Sequence, residues 1–199
     1  MYEVELRALV DNFEGIKKKL EDLGDKIFEN QREVTIFFFN PNKDDFDLRL
    51  KLTKDKNIIS FKEGISKKAR KEIESEVSNP KAIYDLLLES GFKIKMIVGR
   101  VKHVYQYKNF NVLLNKVLNW GDAVEVETEI KSEEEAEEAE KEIKDFIQKK
   151  LGLKNLLSKE RMLEMNEEYN NKYDFNSINL DLLIDYVNGK IRLNFDNLE

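Results

Sequence analysis

Acids and bases alternate with apolar residues in five short stretches of this chain. They are Glu3-Val4-Glu5-Leu6-Arg7, Asp47-Leu48-Arg49-Leu50-Lys51-Leu52, Arg70-Lys71-Glu72-Ile73-Glu74, Arg100-Val101-Lys102 and Glu125-Val126-Glu127. Side chains on a β-strand point to alternate faces, so each stretch gathers these charges on one face and, Lys71 apart, apolar residues on the other. Glutamates in such an arrangement offer oxygen ligands to a hard cation, which completes its shell with water and phosphate oxygens. Arginine grips phosphate with two parallel N–H bonds, and lysine neutralises it as a point charge. The chemistry open to this combination is phosphoryl or nucleotidyl transfer by positioning and electrostatics, which needs no protein nucleophile.

The alternation alone describes a commoner situation equally well, a solvated sheet face carrying weak cross-strand ion pairs. The apolar partners Val4, Leu6, Leu48, Leu50, Val124 and Val126 instead suit an outer face covered by helices. The charges would then line the inside of a closed sheet.

The elements needed to close such a sheet can be read along the chain. Strands are predicted at about 2–9, 26–39, 46–53, 57–63, 69–78, 93–107, 110–118 and 123–131. A helix starts at Asp11-Asn12 and ends before Gly24, and a second runs from Asn79-Pro80 to Ser90-Gly91. A third follows Ser132 to about Lys150, and a shorter one covers Ser158 to Glu168. Eight strands with antiparallel neighbours and flanking helices give an α+β chain built on one eight-stranded antiparallel β-barrel, a tunnel. That domain is expected over residues 1–168, with 169–199 as a C-terminal extension. In the extension, Val187-Asn188-Gly189-Lys190 reads as a hairpin turn joining strands 182–187 and 191–195.

Composition narrows the options. The 199 residues include no cysteine and a single histidine, His103, which excludes disulfides, thiolate metal sites and multi-histidine centres. Any metal must be held by carboxylates, which favours Mg²⁺, Mn²⁺ or Ca²⁺. The formal net charge of −6 argues against general nucleic-acid binding. No apolar run approaches a membrane span and no signal-peptide core follows Met1, so a cytoplasmic location is the expectation. His103 falls out of phase with Arg100 and Lys102 and reads as a surface or core residue. Lys67-Lys68 and Arg70-Lys71 form a basic turn suited to guiding polyanions.

The ordered motifs resemble the CYTH domain of class IV adenylyl cyclases and of thiamine and inorganic triphosphatases, the triphosphate tunnel metalloenzymes. The opening Glu-x-Glu-x-Lys signature is matched by Glu3-Val4-Glu5-Leu6-Arg7, with arginine in the lysine position, and the Leu-Arg-Leu-Arg strand by Leu48-Arg49-Leu50-Lys51. A lysine before glycine, then Arg-x-Glu-x-Glu, is matched by Lys62-Glu63-Gly64 and Arg70-Lys71-Glu72-Ile73-Glu74. Arg100-Val101-Lys102 with Tyr105 resembles the basic pair ahead of a tyrosine. Gly121-Asp122-Ala123-Val124-Glu125-Val126-Glu127 resembles the closing strand, and Ser158-Lys159-Glu160-Arg161-Met162-Leu163 the terminal helix. Two departures stand out. Leu114-Asn115-Lys116-Val117 has asparagine where the family has aspartate, and Glu33-Val34-Thr35-Ile36-Phe37 replaces the usual Asp-x-Tyr.

The resemblance implies a tunnel that binds Mg²⁺ or Mn²⁺ through Glu3, Glu5, Glu125 and Glu127. It implies triphosphate contacts from Arg7, Arg49, Lys51, Lys62, Arg70, Arg100 and Lys102. Glu3, Glu5, Arg7 and Lys62 are the expected catalytic residues, with Glu72 and Glu74 orienting neighbouring arginines. The expected partner is a small triphosphate-bearing molecule such as tripolyphosphate, ATP or thiamine triphosphate, and assembly as a homodimer stays open. The expected activity is metal-dependent triphosphate hydrolysis. The alternatives are cyclisation of ATP to cyclic AMP and pyrophosphate, or a non-catalytic polyphosphate- or nucleotide-binding module.

Overall fold

The computed structural model describes residues 2–63 and 70–195. Gly64 and the Lys67-Lys68 turn lie outside the described residues. Eight strands form the wall: β1 (Tyr2–Leu9), β2 (Asp25–Asn40), β3 (Lys43–Thr53), β4 (Asn57–Glu63), β5 (Arg70–Glu76), β6 (Lys93–Tyr107), β7 (Phe110–Val117) and β8 (Gly121–Ile130). They close in the order β1-β5-β4-β3-β2-β6-β7-β8, antiparallel at every seam. The expected eight-stranded antiparallel barrel is therefore the fold.

Helices enter and leave where the capping residues dictate. Helix α1 (Phe13–Leu23) begins at Asn12, whose side chain accepts from the Gly15 amide, and α2 (Pro80–Glu89) begins at Asn79, which accepts from the Ala82 amide. Pro80 stands in the first turn, where its missing N–H costs nothing. Helix α3 (Ala136–Asp145) continues into a π-helical turn over Phe146–Leu151, ended by Gly152 at φ 77°. Helix α4 (Lys159–Lys172) starts at Ser158, whose hydroxyl accepts from the Arg161 amide.

Two apolar layers cover the outside of the barrel. Val4, Ala8, Val112, Leu114, Val124 and Val126 turn outward to meet Ile16 and Leu20 of α1 and Ile143 of α3. Val34, Ile36, Leu50, Leu52 and Ile97 turn outward to meet Tyr169, Leu183 and Phe195 from the C-terminal part. Each fully buried aliphatic side chain stabilises by roughly 1.5–3 kcal/mol. A one-residue slip of any strand would swap this layer with the charged one, so burial on the outside fixes which residues face in. His103 belongs to the outer layer. It is buried with its ring 5.5 Å from that of Phe13, and burial pushes its pKa down.

The C-terminal hairpin is not formed. Residues Leu180–Val187 are helix α5, capped by Asn179, whose side chain accepts from the Asp181 amide. Leu180, Leu183, Tyr186 and Val187 are buried, a spacing that suits a helix face and not a strand. Asn188-Gly189 is the end of that helix and not a hairpin turn. Gly189 has φ 77°, and the Gly189 and Lys190 amides donate to the Tyr186 and Asp185 carbonyls. Ile191–Phe195 forms no strand, and Leu193 and Phe195 are buried against the barrel.

Candidate active site: the charged lumen of the barrel

Register places the charged faces around one interior. Glu3, Glu5 and Arg7 of β1 lie opposite Glu129, Glu127 and Glu125 of β8. Asp47 and Arg49 of β3 lie opposite Lys62 and Ser60 of β4, which in turn face Glu72 and Glu74 of β5. Across the barrel, Glu33 and Gln31 of β2 lie opposite Arg100 and Lys102 of β6, and Lys102 lies opposite Asn115 of β7. Arg70 stands opposite Glu3 in the register, and its side chain lies outside what the structure describes.

Glu3, Glu5 and Glu127 each bring a carboxylate oxygen to within 4.8 Å of the others. Burial raises the pKa of Glu127 first, and the charges of Glu125, Glu3 and Glu5 add to it, pushing it up to about 8. Burial likewise raises Glu3, against the pull of Lys62. Glu5 keeps a buried Oε2 with no hydrogen-bond partner. This donor set fits a hard divalent cation: all ligands are oxygen, one is unclaimed, and their mutual repulsion is what a cation relieves.

Glu125, expected beside that trio, is drawn elsewhere. Its Oε1 accepts from Arg7 at 2.9 Å, and its Oε2 is 3.9 Å from Arg100. Burial opposes its charge, but Arg7 and Arg100 overcome that and hold its pKa well below the usual carboxylate range. Arg7 also lies 3.2 Å from Glu5 and donates to the Met162 sulfur of α4 at 2.9 Å.

The lysines of β3 and β4 bridge neighbouring acids. Lys62 is bonded to Glu3 and lies 3.2 Å from Glu72. Burial would lower its pKa, yet Glu5, Glu3 and Glu72 leave it raised. Lys51 lies 2.5 Å from Glu74 and 3.7 Å from Glu72. Glu72 and Glu74 thus hold lysines in place, and the orienting role expected toward arginines is directed at Lys51 and Lys62. Arg49 is held at 2.8 Å by Asp47 and stacks over the Phe37 ring at 4.9 Å, while its buried Nε has no partner.

Glu33 stands in the stretch that replaces the family's Asp-x-Tyr, and the resemblance assigns it no role. It is 3% exposed, and its carboxylate binds Arg100 through Nε, at 2.7 Å, and through a terminal guanidinium nitrogen, with Lys102 on the other oxygen. Burial alone would raise its pKa, but the two cations bring it down to about 2. Its phase with Thr35 and Phe37 was the available signal, masked by the apolar run that follows. Asn115 is buried opposite Lys102 and its Oδ1 is unpartnered.

These features agree with comparisons to known proteins. The CYTH domain family matches residues 1–161. Among solved structures, the PH1012 protein of Pyrococcus horikoshii OT3 is 30% identical, with a TM-score of 0.67 over 76% of this chain and 91% of that one. A conserved hypothetical protein of Pyrococcus furiosus is 26% identical, with a TM-score of 0.65 over the same shares of 76% and 91%. A putative adenylate cyclase of Vibrio parahaemolyticus shares the fold at 14% identity, with a TM-score of 0.70 over 82% of this chain and 98% of that one. No curated protein matches. With most of its length matched and its barrel closed around the charged strands, this chain belongs to the CYTH domain family.

Proposed function

We propose that this protein is a divalent-metal-dependent phosphohydrolase acting on inorganic or organic triphosphates inside the barrel. One observation carries the reading: a trio of clustered carboxylates and a set of arginines and lysines line the same lumen. Glu3, Glu5 and Glu127 would hold Mg²⁺ or Mn²⁺, which when bound supplies Lewis acidity and neutralises charge at phosphoryl oxygens. Arg7, Arg49, Lys51, Lys62, Arg70, Arg100 and Lys102 bind and align the polyphosphate chain, and the free Nε of Arg49 offers it a ready donor. Glu72 and Glu74 keep Lys51 and Lys62 aimed into the lumen. The substrate is a small molecule and not a nucleic acid, in keeping with the net charge of −6. Among the described residues no helix is long and apolar enough to cross a membrane.

The test is incubation with Mg²⁺ or Mn²⁺ and tripolyphosphate, ATP or thiamine triphosphate. Orthophosphate release supports the reading. Pyrophosphate with cyclic AMP replaces it by cyclisation, and tight binding with no turnover replaces it by a binding module.

A further inference from the structure

Glu33 is not part of the motif set, yet it occupies two of the cations that a polyphosphate would need. Its two oxygens are spent on Arg100 and Lys102, and it is almost wholly shut off from solvent. The pair is backed from the outside. Tyr186 of α5 donates to the Arg100 carbonyl at 3.2 Å, and the Val34 and Ile36 side chains that follow Glu33 along the strand are sealed in the outer layer. The strand bearing Glu33 is therefore not free to swing its carboxylate out of the lumen.

We infer that Glu33 is a specificity-determining residue, a resident anion that any phosphate reaching Arg100 and Lys102 must compete with or displace. This rests on the proposed triphosphate reading. A fixed carboxylate beside an incoming phosphate repels it strongly where water is scarce. An anion that relies on this pair alone, such as orthophosphate, is then held weakly. A longer chain that also engages Arg7, Arg49, Lys51 and Lys62 tolerates the repulsion, because its remaining contacts are intact. Glu33 thereby disfavours short phosphates more than triphosphates.

The experiment compares wild type with Glu33→Gln, which keeps shape and removes charge. Binding of orthophosphate, pyrophosphate and tripolyphosphate is measured by calorimetry in EDTA, and KM and kcat for tripolyphosphate in Mg²⁺. The expected result is binding about tenfold tighter in E33Q, with the largest gain for orthophosphate, a steeper salt dependence and a lower KM. In the Lys102→Gln background the gain from E33Q shrinks, since one of the released cations is gone. If E33Q is poorly folded, Glu33→Asp is read in its place. The shorter side chain keeps the charge but loosens its grip, and the same ordering of gains is expected at smaller size. Unchanged or weaker anion binding in folded E33Q or E33D overturns the inference while leaving the triphosphate reading intact. Absence of triphosphate binding and turnover in wild type and E33Q alike removes the reading and the inference together.

Discussion

The two sides of the lumen hold their carboxylates in opposite ways. Where β1 meets β8, Glu3, Glu5 and Glu127 crowd one another, and Glu127 is pushed up to about 8. Where β2 meets β6, Glu33 sits between Arg100 and Lys102 and is brought down to about 2. Glu33 is buried and the trio half-buried, and both sides are built from strand alternation. The difference is the sign of the charges that dominate at Glu127 and at Glu33, acids for the first and Arg100 with Lys102 for the second. A buried acid with acid neighbours stores repulsion that a cation can relieve, whereas one with base neighbours is already satisfied. The first arrangement suits recruitment of a metal, and the second holds structure together.

The sharpest way to break this contrast is to remove one acid from each side. Glu5→Gln or Glu127→Gln should cut triphosphate turnover by roughly 100-fold or more while leaving the melting temperature in EDTA equal or higher, because repulsion is relieved. Full activity in either variant would show that the trio holds no essential metal. Glu33→Ala should do the reverse to stability and lower it by about 3 kcal/mol, since Lys102 loses its carboxylate and Arg100 keeps only Glu125, 3.9 Å away. Urea unfolding measures this, and a loss under about 1 kcal/mol would show that the cations find other partners.

The acid limb of the stability profile sharpens the point. A carboxylate whose folded pKa is depressed contributes above its unfolded value, and that contribution is lost as pH falls through the folded one. For Glu33 the window runs from the ordinary 4.5 down to about 2. The stability gap between wild type and E33Q should be full at neutral pH and close across that interval. A gap that persists unchanged at pH 2 would mean that Glu33 acts through packing alone.

Mg²⁺ or Mn²⁺ at about 100 times its dissociation constant should stabilise wild type by about 2.7 kcal/mol and E127Q by much less. Equal shifts in both would place the cation elsewhere. The smallest effect belongs to Lys17, which lies 2.7 Å from Glu29 on the outside. The Lys17 and Lys26 contacts lower Glu29 to about 2, the same value as Glu33, yet the group stands at the surface in reach of solvent. Solvent screens such pairs, so Lys17→Ala should melt within error of wild type.

Much of the barrel was legible because local signals agreed with the global fold. Asn12, Asn79 and Ser158 cap their helices as their types dictate, and the charge alternation on β1, β3 and β8 gave the inward face before any strand pairing was known. Glu33 escaped because its strand carries Ile36, Phe37 and Phe38 in succession, which blurs a two-residue period. Glu125 was grouped with Glu127 by spacing, but spacing fixes only the face. Its partner was decided by Arg7 on the next strand, a contact across 118 positions. The C-terminal run was misread because Asn-Gly serves both a hairpin turn and a helix end, and Leu-Leu-Ile fits either. Its burial against the barrel settled the matter in favour of a helix.

The wall of the barrel is not covered evenly. Val112 and Leu114 of β7 and Val124 and Val126 of β8 are buried on the outward side, whereas Lys71, Ile73 and Ser75 on the outward side of β5 are exposed. A strand left bare on its outer face gains little from burial and opens first under thermal agitation. Amide protons of β5 should therefore trade with solvent sooner than those of β7 or β8, and an apolar cover laid over Ile73 would slow them.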